Sequence, residues 1–296
     1  MTDFHRILAA TDLSAPARHA AERAALVSQE IMATLHLLHI PHLASLERLQ
    51  QLAVPGEERM ETRIHIQAQA QQRLDVLATA LDQRFGTCPV THVEAGPLLP
   101  TLRRMISAIT ADLLVCGAKG ESLVRHHLLG TTAHRMISTA TCPVLVVKQT
   151  AHEPYRRLLV PVDFSPASSR AIRHALALAP QAEIVLLHAF EVPFEGQLRY
   201  AGVDDQMLRH YRSQMKQQAT EKLQELRKTT GLSADRCESV ILHGHPAFHI
   251  LEQEQIQDCD LIVMGKQGES MIETLLLGSV TKHVLAESQG DILVSV

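Results

Sequence analysis

The chain contains two copies of one sequence pattern. The segment "ILAATDLS" (7–14) aligns with "LLVPVDFS" (158–165), and "LHLLHI" (35–40) aligns with "EIVLLHAF" (183–190). A third segment, "ADLLVCGAKGES" (111–122), aligns with "CDLIVMGKQGES" (259–270). The spacing between aligned residues drifts by only three positions, which is a change of loop length rather than of fold. The sequence therefore predicts two homologous domains, 1–150 and 151–296, in place of one large domain.

Each copy alternates apolar runs with helical segments. The first apolar run (6–10 and 157–162) has the length and composition of a buried strand. A helix is predicted to follow, with Ser14 or Ser165 as its N-cap and a proline near its first turn. Near-continuous apolar strands separated by helices are typical of a parallel sheet covered on both faces. We therefore expect two doubly wound α/β domains in tandem, each with a five-stranded parallel sheet.

Composition narrows the class of partner. The formal net charge is -4, aromatic residues make up 3%, and no Lys/Arg run occurs, which argues against nucleic acid. No uncharged apolar segment approaches the roughly 18 residues of a membrane span, and "MTDFHRILAAT" does not read as a signal peptide. The five cysteines include no CxxC pair, so reduced thiols in a cytoplasmic protein are expected.

A repeated glycine pattern carries the most specific chemical signal. The pattern G-x2-G-x9-G-[S/T] follows the predicted fourth strand in "GAKGESLVRHHLLGT" (117–131) and "GKQGESMIETLLLGS" (265–279). Glycine lets the backbone approach a ligand closely, and the helix start after the last glycine offers N–H groups and a positive dipole end to an anion. The pattern therefore indicates a phosphate loop. The alternative, glycines that only shape turns, stays open because duplication also copies turns.

Two common nucleotide motifs do not fit the sequence. A Walker A loop needs Lys-[ST] after its last glycine, and the dinucleotide fingerprint G-x-G-x-x-G belongs after the first strand, where this chain has "TDLS" and "VDFS". P-loop motor and oxidoreductase functions are therefore poorly supported. The acids repeated inside the glycine loops are Glu121 and Glu269, which could equally face solvent. An efficient ATPase is not indicated, and hydrolysis would be slow at most.

Two acidic residues end the first strand of the copies. Asp12 and Asp163 occupy this position, and the carboxyl ends of parallel strands share one rim, where ligands of such folds bind. That placement favours a role in ligand binding, with helix capping as the alternative. Together with the glycine loop after the fourth strand, these acids define a candidate site in each copy.

The eighteen histidines raise the question of a metal. His36, His39 and His42 are spaced by three and cannot converge on a strand, whose side chains alternate between faces. The group His243, His245 and His249 could converge at a helix start, but no cysteine accompanies it at zinc-ligand spacing. Solvated or capping histidines are therefore expected rather than metal ligands.

Together these motifs resemble the universal stress protein family. A strand ending in V-D-x-S, a second strand L-L-H-h and the glycine pattern after the fourth strand recur over nearly the whole chain, as in a tandem member with two ATP-binding-subgroup domains. The resemblance implies Rossmann-like domains of the adenine nucleotide alpha hydrolase-like type. It also implies an adenine nucleotide (ATP, ADP or AMP) in each domain, Mg as a further candidate, and a regulatory role in stress response.

The resemblance also implies an assembly. The halves would form an intramolecular pseudo-dimer through their last strands, and a homodimer and an unknown protein partner are further candidates. Two other functions stay open from the residues alone. One is a slow ATP-hydrolysing enzyme, and the other is a nucleotide-independent interaction scaffold whose loops are relics.

The resemblance assigns binding positions residue by residue. Asp12 and Asp163 match the family's acidic residue near the nucleoside, while Ile40 and Ala189 match the position whose backbone meets adenine. The glycine loops and the helix starts after them match the ribose and phosphate cradle. The remaining candidate nucleotide-binding residues are Ala10, Cys116, Gly117, Lys119, Gly120, Gly130, Thr131 and Thr132 in the first copy, and Pro161, Met264, Gly265, Gly268, Gly278, Ser279 and Val280 in the second.

The copies differ at several places. Ala10-Thr11-Asp12 stands where the second copy has Pro161-Val162-Asp163, and Cys142-Pro143 becomes Gly290-Asp291. The glycine loops also differ in charge, with one excess cation in the first and one excess anion in the second. The first site is therefore expected to accept a triphosphate better than the second.

Overall fold

The structure is a computed structural model that describes residues 4–41, 56–119, 129–268 and 277–296. The chain divides into two compact units, of which the first ends at Pro154 and the second spans Tyr155–Val296. Each unit is an α/β domain in which strands alternate with helices. Among the described residues, no helix combines the length and the apolar character needed to cross a membrane.

The first domain has a parallel sheet in the order β3-β2-β1-β4-β5. In chain order the described elements are β1 (Arg6–Thr11), α1 (Ala15–Glu30), β2 (Thr34–His39), α2 (Gly56–Phe85), β3 (Val90–Val93), α3 (Leu98–Ile109), β4 (Leu113–Gly117), α4 (Thr131–Thr139) and β5 (Val144–Val147). The strand order reverses at β1, so its carboxyl end and that of β4 border the crevice where such folds bind ligands.

The second domain repeats this order as β8-β7-β6-β9-β10, again with parallel pairing. Its described elements are β6 (Arg157–Pro161), α5 (Pro166–Leu178), β7 (Glu183–Phe190), α6 (Glu195–Tyr200), α7 (Asp205–Thr230), β8 (Cys237–His243), α8 (Pro246–Ile256), β9 (Leu261–Gly265), α9 (Ser279–Glu287) and β10 (Asp291–Ser295). The predicted fold class, two doubly wound five-stranded parallel-sheet domains, is confirmed. The short helix α6 was not part of the prediction.

The central strands explain the apolar runs of the sequence. Residues 113–115 of β4 and 261–263 of β9 have no exposed surface, because helices cover both faces of each sheet. Burying one such leucine or valine side chain contributes about 1.5–3 kcal/mol. The sheets therefore supply much of the free energy that holds the rim residues in place.

One aspartate ties the fourth strand to the first in each domain. The Asp112 carboxylate accepts hydrogen bonds from the backbone N–H groups of His5 (2.8 Å) and Arg6 (3.0 Å). Asp260 does the same for Arg156 (2.8 Å) and Arg157 (3.3 Å). These bonds give donors at the start of β1 and β6 a charged partner, which makes the bonds stronger than neutral ones. They help to set the register of the strands that end at the candidate site.

A buried hydrogen bond explains one difference between the copies. The Tyr155 hydroxyl donates to Asp291 (2.6 Å), and both residues are buried. The aligned residues of the first domain are Phe4 and Pro143, which are also buried. The second domain thus carries an acid where the first has proline, together with the hydroxyl that this acid needs. A buried carboxylate without such a donor would be costly.

A second polar cluster lies beside this pair. The Glu254 carboxylate, only 3% exposed, accepts from the Ser288 hydroxyl (2.7 Å) and from the Gly290 N–H (2.8 Å). A Cβ at residue 290 would lie 2.8 Å from the same carboxylate oxygen, so a side chain there would displace the Glu254 carboxylate. The aligned positions of the first domain are apolar and buried, namely Ile106, Ala140 and Cys142. The second domain therefore has hydrogen-bonded polar residues at aligned positions where the first domain has apolar packing.

One buried histidine of the second domain has a strongly lowered pKa. His174 on α5 is buried, and its Nδ1 lies 2.7 Å from the Ser295 hydroxyl on β10. Burial is the main cause that lowers the pKa of His174 to about 4, and Arg170 and Arg173 act in the same direction. The folded domain therefore holds a neutral imidazole at pH values where an exposed one is protonated.

We expect the Tyr155→Phe variant to lower the free energy of unfolding by roughly 1–3 kcal/mol, because it removes the hydroxyl from a buried carboxylate. Urea denaturation of the full chain, followed by circular dichroism, measures this loss. Tyr200→Phe is the matched control because Tyr200 is 96% exposed. Equal stability of the two variants would show that the buried hydrogen bond contributes nothing.

His174 should make stability depend on pH in a defined direction. Since its pKa is lowered in the folded state, the unfolded chain takes up a proton first as pH falls below 6.5, and stability is lost towards pH 4. Between about pH 7 and about pH 5, the wild-type protein should lose roughly 1–2 kcal/mol more than His174→Gln. Urea denaturation at both pH values tests this, with the exposed His210 changed to Gln as control. Parallel losses in all three proteins would contradict it.

Candidate functional site

The site in each domain begins with a strained turn after the first strand. Leu13 and Phe164, the residues that follow Asp12 and Asp163, both have positive φ angles, of 64° and 66°. Residues other than glycine rarely adopt this region, at a cost on the order of 1–2 kcal/mol. The strain is present in both copies, which fits a turn required to present the aspartate at the rim.

The two aspartates are held differently. In the second domain, Asp163 Oδ1 accepts from the Ser165 N–H (3.0 Å), the Ser165 hydroxyl (2.6 Å) and the Ser168 hydroxyl (2.7 Å). The Asp163 N–H in turn donates to Ser168 Oγ (3.0 Å). In the first domain, the described contacts give Asp12 one donor, the Ser14 N–H (3.0 Å), and its side chain is exposed.

The predicted N-caps give different outcomes. Ser14 caps α1, since its hydroxyl accepts from the Ala17 N–H (3.4 Å). Ser165 is the N-cap residue of α5, as predicted, but its side chain makes no cap hydrogen bond. The reason is competition, because the Ser165 hydroxyl donates to the Asp163 carboxylate instead. A charged acceptor makes the stronger hydrogen bond.

A histidine at the end of the second strand supports the turn. His39 Nδ1 donates to the Thr11 carbonyl (2.9 Å), and His188 Nδ1 donates to the Val162 carbonyl (2.8 Å). Burial lowers the pKa of both imidazoles, which keeps them neutral with the proton on Nδ1. The strand-two histidine therefore ties the residue before each aspartate to the adjacent strand.

The two ends of each glycine loop are joined by a backbone hydrogen bond. The Gly130 N–H donates to the Ala118 carbonyl (2.8 Å), and the Gly278 N–H donates to the Lys266 carbonyl (3.0 Å). Each loop therefore leaves the end of the fourth strand and returns to it before the next helix begins. Within the loops, 120–128 and 269–276 lie outside the described residues, and Gly120 is one of them.

The first glycine of each loop faces the start of the helix after the first strand. A Cβ at Gly117 would lie 3.3 Å from the Pro16 carbonyl oxygen, and one at Gly265 would lie 3.1 Å from the Ala167 Cβ. Both gaps are tighter than most side chains accept. The Thr281 hydroxyl also donates to the Gly265 carbonyl (3.0 Å). Glycine is therefore favoured where the fourth strand passes this helix.

The second glycine of the second domain lies against the aspartate. A Cβ at residue 268 would be 2.8 Å from Asp163 Oδ2, so any side chain there would push the carboxylate aside. The structure thus brings together Asp163 and the glycine loop, which are far apart in sequence, at the carboxyl ends of β6 and β9. The aligned glycine of the first domain is Gly120, so the same contact is not described there.

The helix after each loop begins directly at the last glycine. Gly130 and Gly278 are the N-cap residues of α4 and α9 and provide no side chain. The first intrahelical bonds are donated by His134 and Lys282, so the N–H groups before them have no acceptor within the helix. Thr131, Thr132 and Ser279 are exposed and Val280 is half-buried in this first turn.

The remaining candidates lie on the same strand ends. Ala10 pairs in register with Leu38 of β2 and Cys116 of β4. Ile40 follows β2 directly, and Ala189 is the second-last residue of β7, where it pairs with Leu242. The other positions are Pro161 at the end of β6, Met264 in β9, and Lys119 after β4. Cys116 is buried and its pKa is raised to about 12 by burial, so its thiol packs rather than reacts.

The cations of the two loops are placed differently. Lys266 is buried, and burial lowers its pKa. The aligned residue of the first domain is Ala118, and that domain instead carries Lys119 one position later. The other charged residues counted in the loops are Glu121, Arg125, Glu269 and Glu273, all outside the described residues. The expected charge difference between the two sites therefore stays a prediction.

The histidine groups take part in local hydrogen bonds. His36 and His92 lie on neighbouring strands with Nδ1 and Nε2 3.0 Å apart, whereas His39 points to the Thr11 carbonyl. His249 Nε2 donates to the His243 carbonyl (3.0 Å), and His245 Nδ1 accepts from the Ala247 N–H (3.3 Å) at the start of α8. In the part of the chain that the structure describes, no three His, Cys, Asp or Glu side chains are grouped to hold a metal.

Sequence reasoning missed three residues that shape the second site. Ser168 donates to Asp163, Thr281 donates to the Gly265 carbonyl, and Ala167 limits the space beside Gly265. The signal for Ser168 was present as a serine three positions after Ser165, on the same face of the helix start. The first domain has Ala17 at the aligned position, so the repeat itself did not point to it.

The fold and the site define a class of protein: a tandem pair of doubly wound α/β domains, each with an aspartate turn and a glycine loop on one rim. The family model for the universal stress protein family matches residues 3–148 and again 154–295. The chain therefore belongs to the universal stress protein family, with two family domains in tandem.

Individual relatives agree with this assignment. A universal stress protein of Mycolicibacterium smegmatis is 26% identical over 304 residues, covering 97% of this chain and 96% of the relative. A second one, from Methanocaldococcus jannaschii, is 30% identical over 143 residues, covering 47% of this chain and 81% of the relative. The crystal structure of a universal stress protein from Archaeoglobus fulgidus matches 98% of this chain and 97% of its own, with a TM-score of 0.66 and 18% identity. This last likeness concerns the fold.

Proposed function

We propose that each domain binds an adenine nucleotide at the rim described above and that occupancy regulates a partner during stress response. The single observation that carries the proposal is the contact between Gly268 and Asp163. A Cβ at residue 268 would lie 2.8 Å from Asp163 Oδ2, so a side chain there would displace the carboxylate, and the glycine lets the loop backbone lie directly beside it. A carboxylate for sugar hydroxyls next to backbone N–H groups for phosphates suits a nucleotide.

Each part of the site has a proposed role. Asp12 and Asp163 would accept hydrogen bonds from the nucleoside, and the backbone at Ile40 and Ala189 would meet the base. The helix starts at Thr131 and Ser279 would receive the phosphates, because unpaired N–H groups and the positive dipole end favour an anion there. A Mg ion, if it accompanies ATP, would be held mainly by the phosphate oxygens.

Binding rather than turnover is the better-supported function. Asp163 Oδ1 already accepts three hydrogen bonds from Ser165 and Ser168. Its lone pairs are therefore occupied, and this oxygen is poorly placed to take a proton from water. We propose that the nucleotide acts as a ligand that shifts the population of conformations or of partner-bound states.

The direct test is to identify and titrate the ligand. Mass spectrometry of small molecules released on denaturation should show an adenine nucleotide, and calorimetry should show ATP binding to the wild-type protein. Gly268→Ala should weaken binding at the second site by roughly tenfold or more, since its Cβ displaces Asp163 or the loop. Gly196→Ala is the control, because a Cβ there meets nothing within 4 Å. If the protein binds no adenine nucleotide, the proposal is wrong and the nucleotide-independent interaction scaffold is the remaining function.

The charge difference between the loops gives a separate prediction. We expect the first site, isolated by Gly278→Val, to prefer ATP over AMP more strongly than the second site, isolated by Gly130→Val. The reason is the excess positive charge predicted for the first loop. Calorimetry with both ligands at low and high salt measures the preference, which salt should reduce. Identical ATP-to-AMP ratios at the two sites would contradict the prediction.

A further inference from the structure

We infer that Ser168 is a positioning residue that makes the two nucleotide sites unequal. The inference rests on the proposed nucleotide function and names what distinguishes the two sites within it. Ser168 is buried on the first turn of α5 and reaches Asp163 twice, donating to Oδ1 (2.7 Å) and accepting from the Asp163 N–H (3.0 Å). One hydroxyl therefore holds both the carboxylate and the backbone of the same residue.

The second serine completes the arrangement. With Ser168 in place, the Ser165 hydroxyl also donates to Asp163 Oδ1 (2.6 Å) and gives up the cap bond that Ser14 makes in the first domain. Three donors converge on one carboxylate oxygen, and the other oxygen is directed at Gly268. The carboxylate is thus fixed in one orientation before any ligand arrives.

The first domain provides the internal comparison. Ala17 replaces Ser168, Ser14 caps the helix, and Asp12 is exposed with the Ser14 N–H as its described donor. The strained turn, the strand-two histidine and the hydrogen bond that joins the ends of the glycine loop are present in both copies. Among the described residues around the two aspartates, the hydroxyl at the Ser168 position is the difference that adds donors to the carboxylate.

A held carboxylate binds more tightly than a free one. A side chain that must be ordered on binding costs affinity, and an ordered one has already met that cost in folding. The second site should therefore gain roughly three- to tenfold in affinity from the Ser168 hydroxyl. The effect concerns the nucleoside end of the ligand and is independent of the charge on the glycine loop.

The test exchanges the residue between the two sites in the full chain. In the Gly130→Val background, Ser168→Ala should raise the Kd for ATP at the second site roughly three- to tenfold. In the Gly278→Val background, Ala17→Ser should lower the Kd at the first site roughly two- to fivefold. Ser169→Ala changes the next residue of α5 and is the matched control, which should leave the Kd unchanged.

A double-mutant cycle separates positioning from a structural effect. In a protein that already carries Asp163→Ala, Ser168→Ala should change the Kd less than twofold, because the group it positions is gone. A crystal structure of ligand-free Ser168→Ala should show Asp163 turned away from its wild-type orientation. Wild-type protein that binds no ATP overturns both proposals. ATP binding with unchanged Kd after Ser168→Ala, or an equal loss without Asp163, overturns this inference alone.

Discussion

Parallel strand pairing is the constraint on which the site depends. Five parallel strands can be joined only by crossovers, so every strand in a domain ends at the same edge of its sheet. That edge collects the aspartate after the first strand and the glycine loop after the fourth, although about 100 residues separate them in sequence. Asp112 and Asp260 reinforce the pairing by binding the first N–H groups of β1 and β6. Any shift of register would move Asp163 away from Gly268 and remove the geometry of the site.

Much of this architecture was accessible from the sequence. The duplication, the fold class and the family follow from periodic apolar runs and repeated motifs, which are local signals that survive without coordinates. The positions of Asp12, Asp163 and the glycines at the rim follow from topology. Gly120 is the exception among these glycines because it lies outside the described residues. The ligand of these residues stays a prediction.

The parts that sequence reasoning missed depend on side chains competing for one partner. The motif D-x-S predicts the same N-cap residue twice, yet the Ser14 side chain makes a cap hydrogen bond and the Ser165 side chain does not. Whether the serine hydroxyl makes the cap bond depends on the residue three positions later, which is Ala17 in one copy and Ser168 in the other. Residue preferences for the cap position do not include such a neighbour. The alignment of the copies shows Asp291 in place of Pro143, but it does not show why an acid is tolerated there. Its partner Tyr155 is 136 residues away and shares no motif with it.

The buried acids of the second domain have a consequence for how the chain assembles. Tandem copies of one fold can exchange strands while they fold, because each strand fits the backbone of either sheet. Strand β10 carries Asp291, and in the first sheet it would face Phe4 rather than the Tyr155 hydroxyl. The mispaired strand would bury an acid without that donor, at a cost of several kcal/mol. The divergence of the two interiors thus disfavours the insertion of β10 into the first sheet.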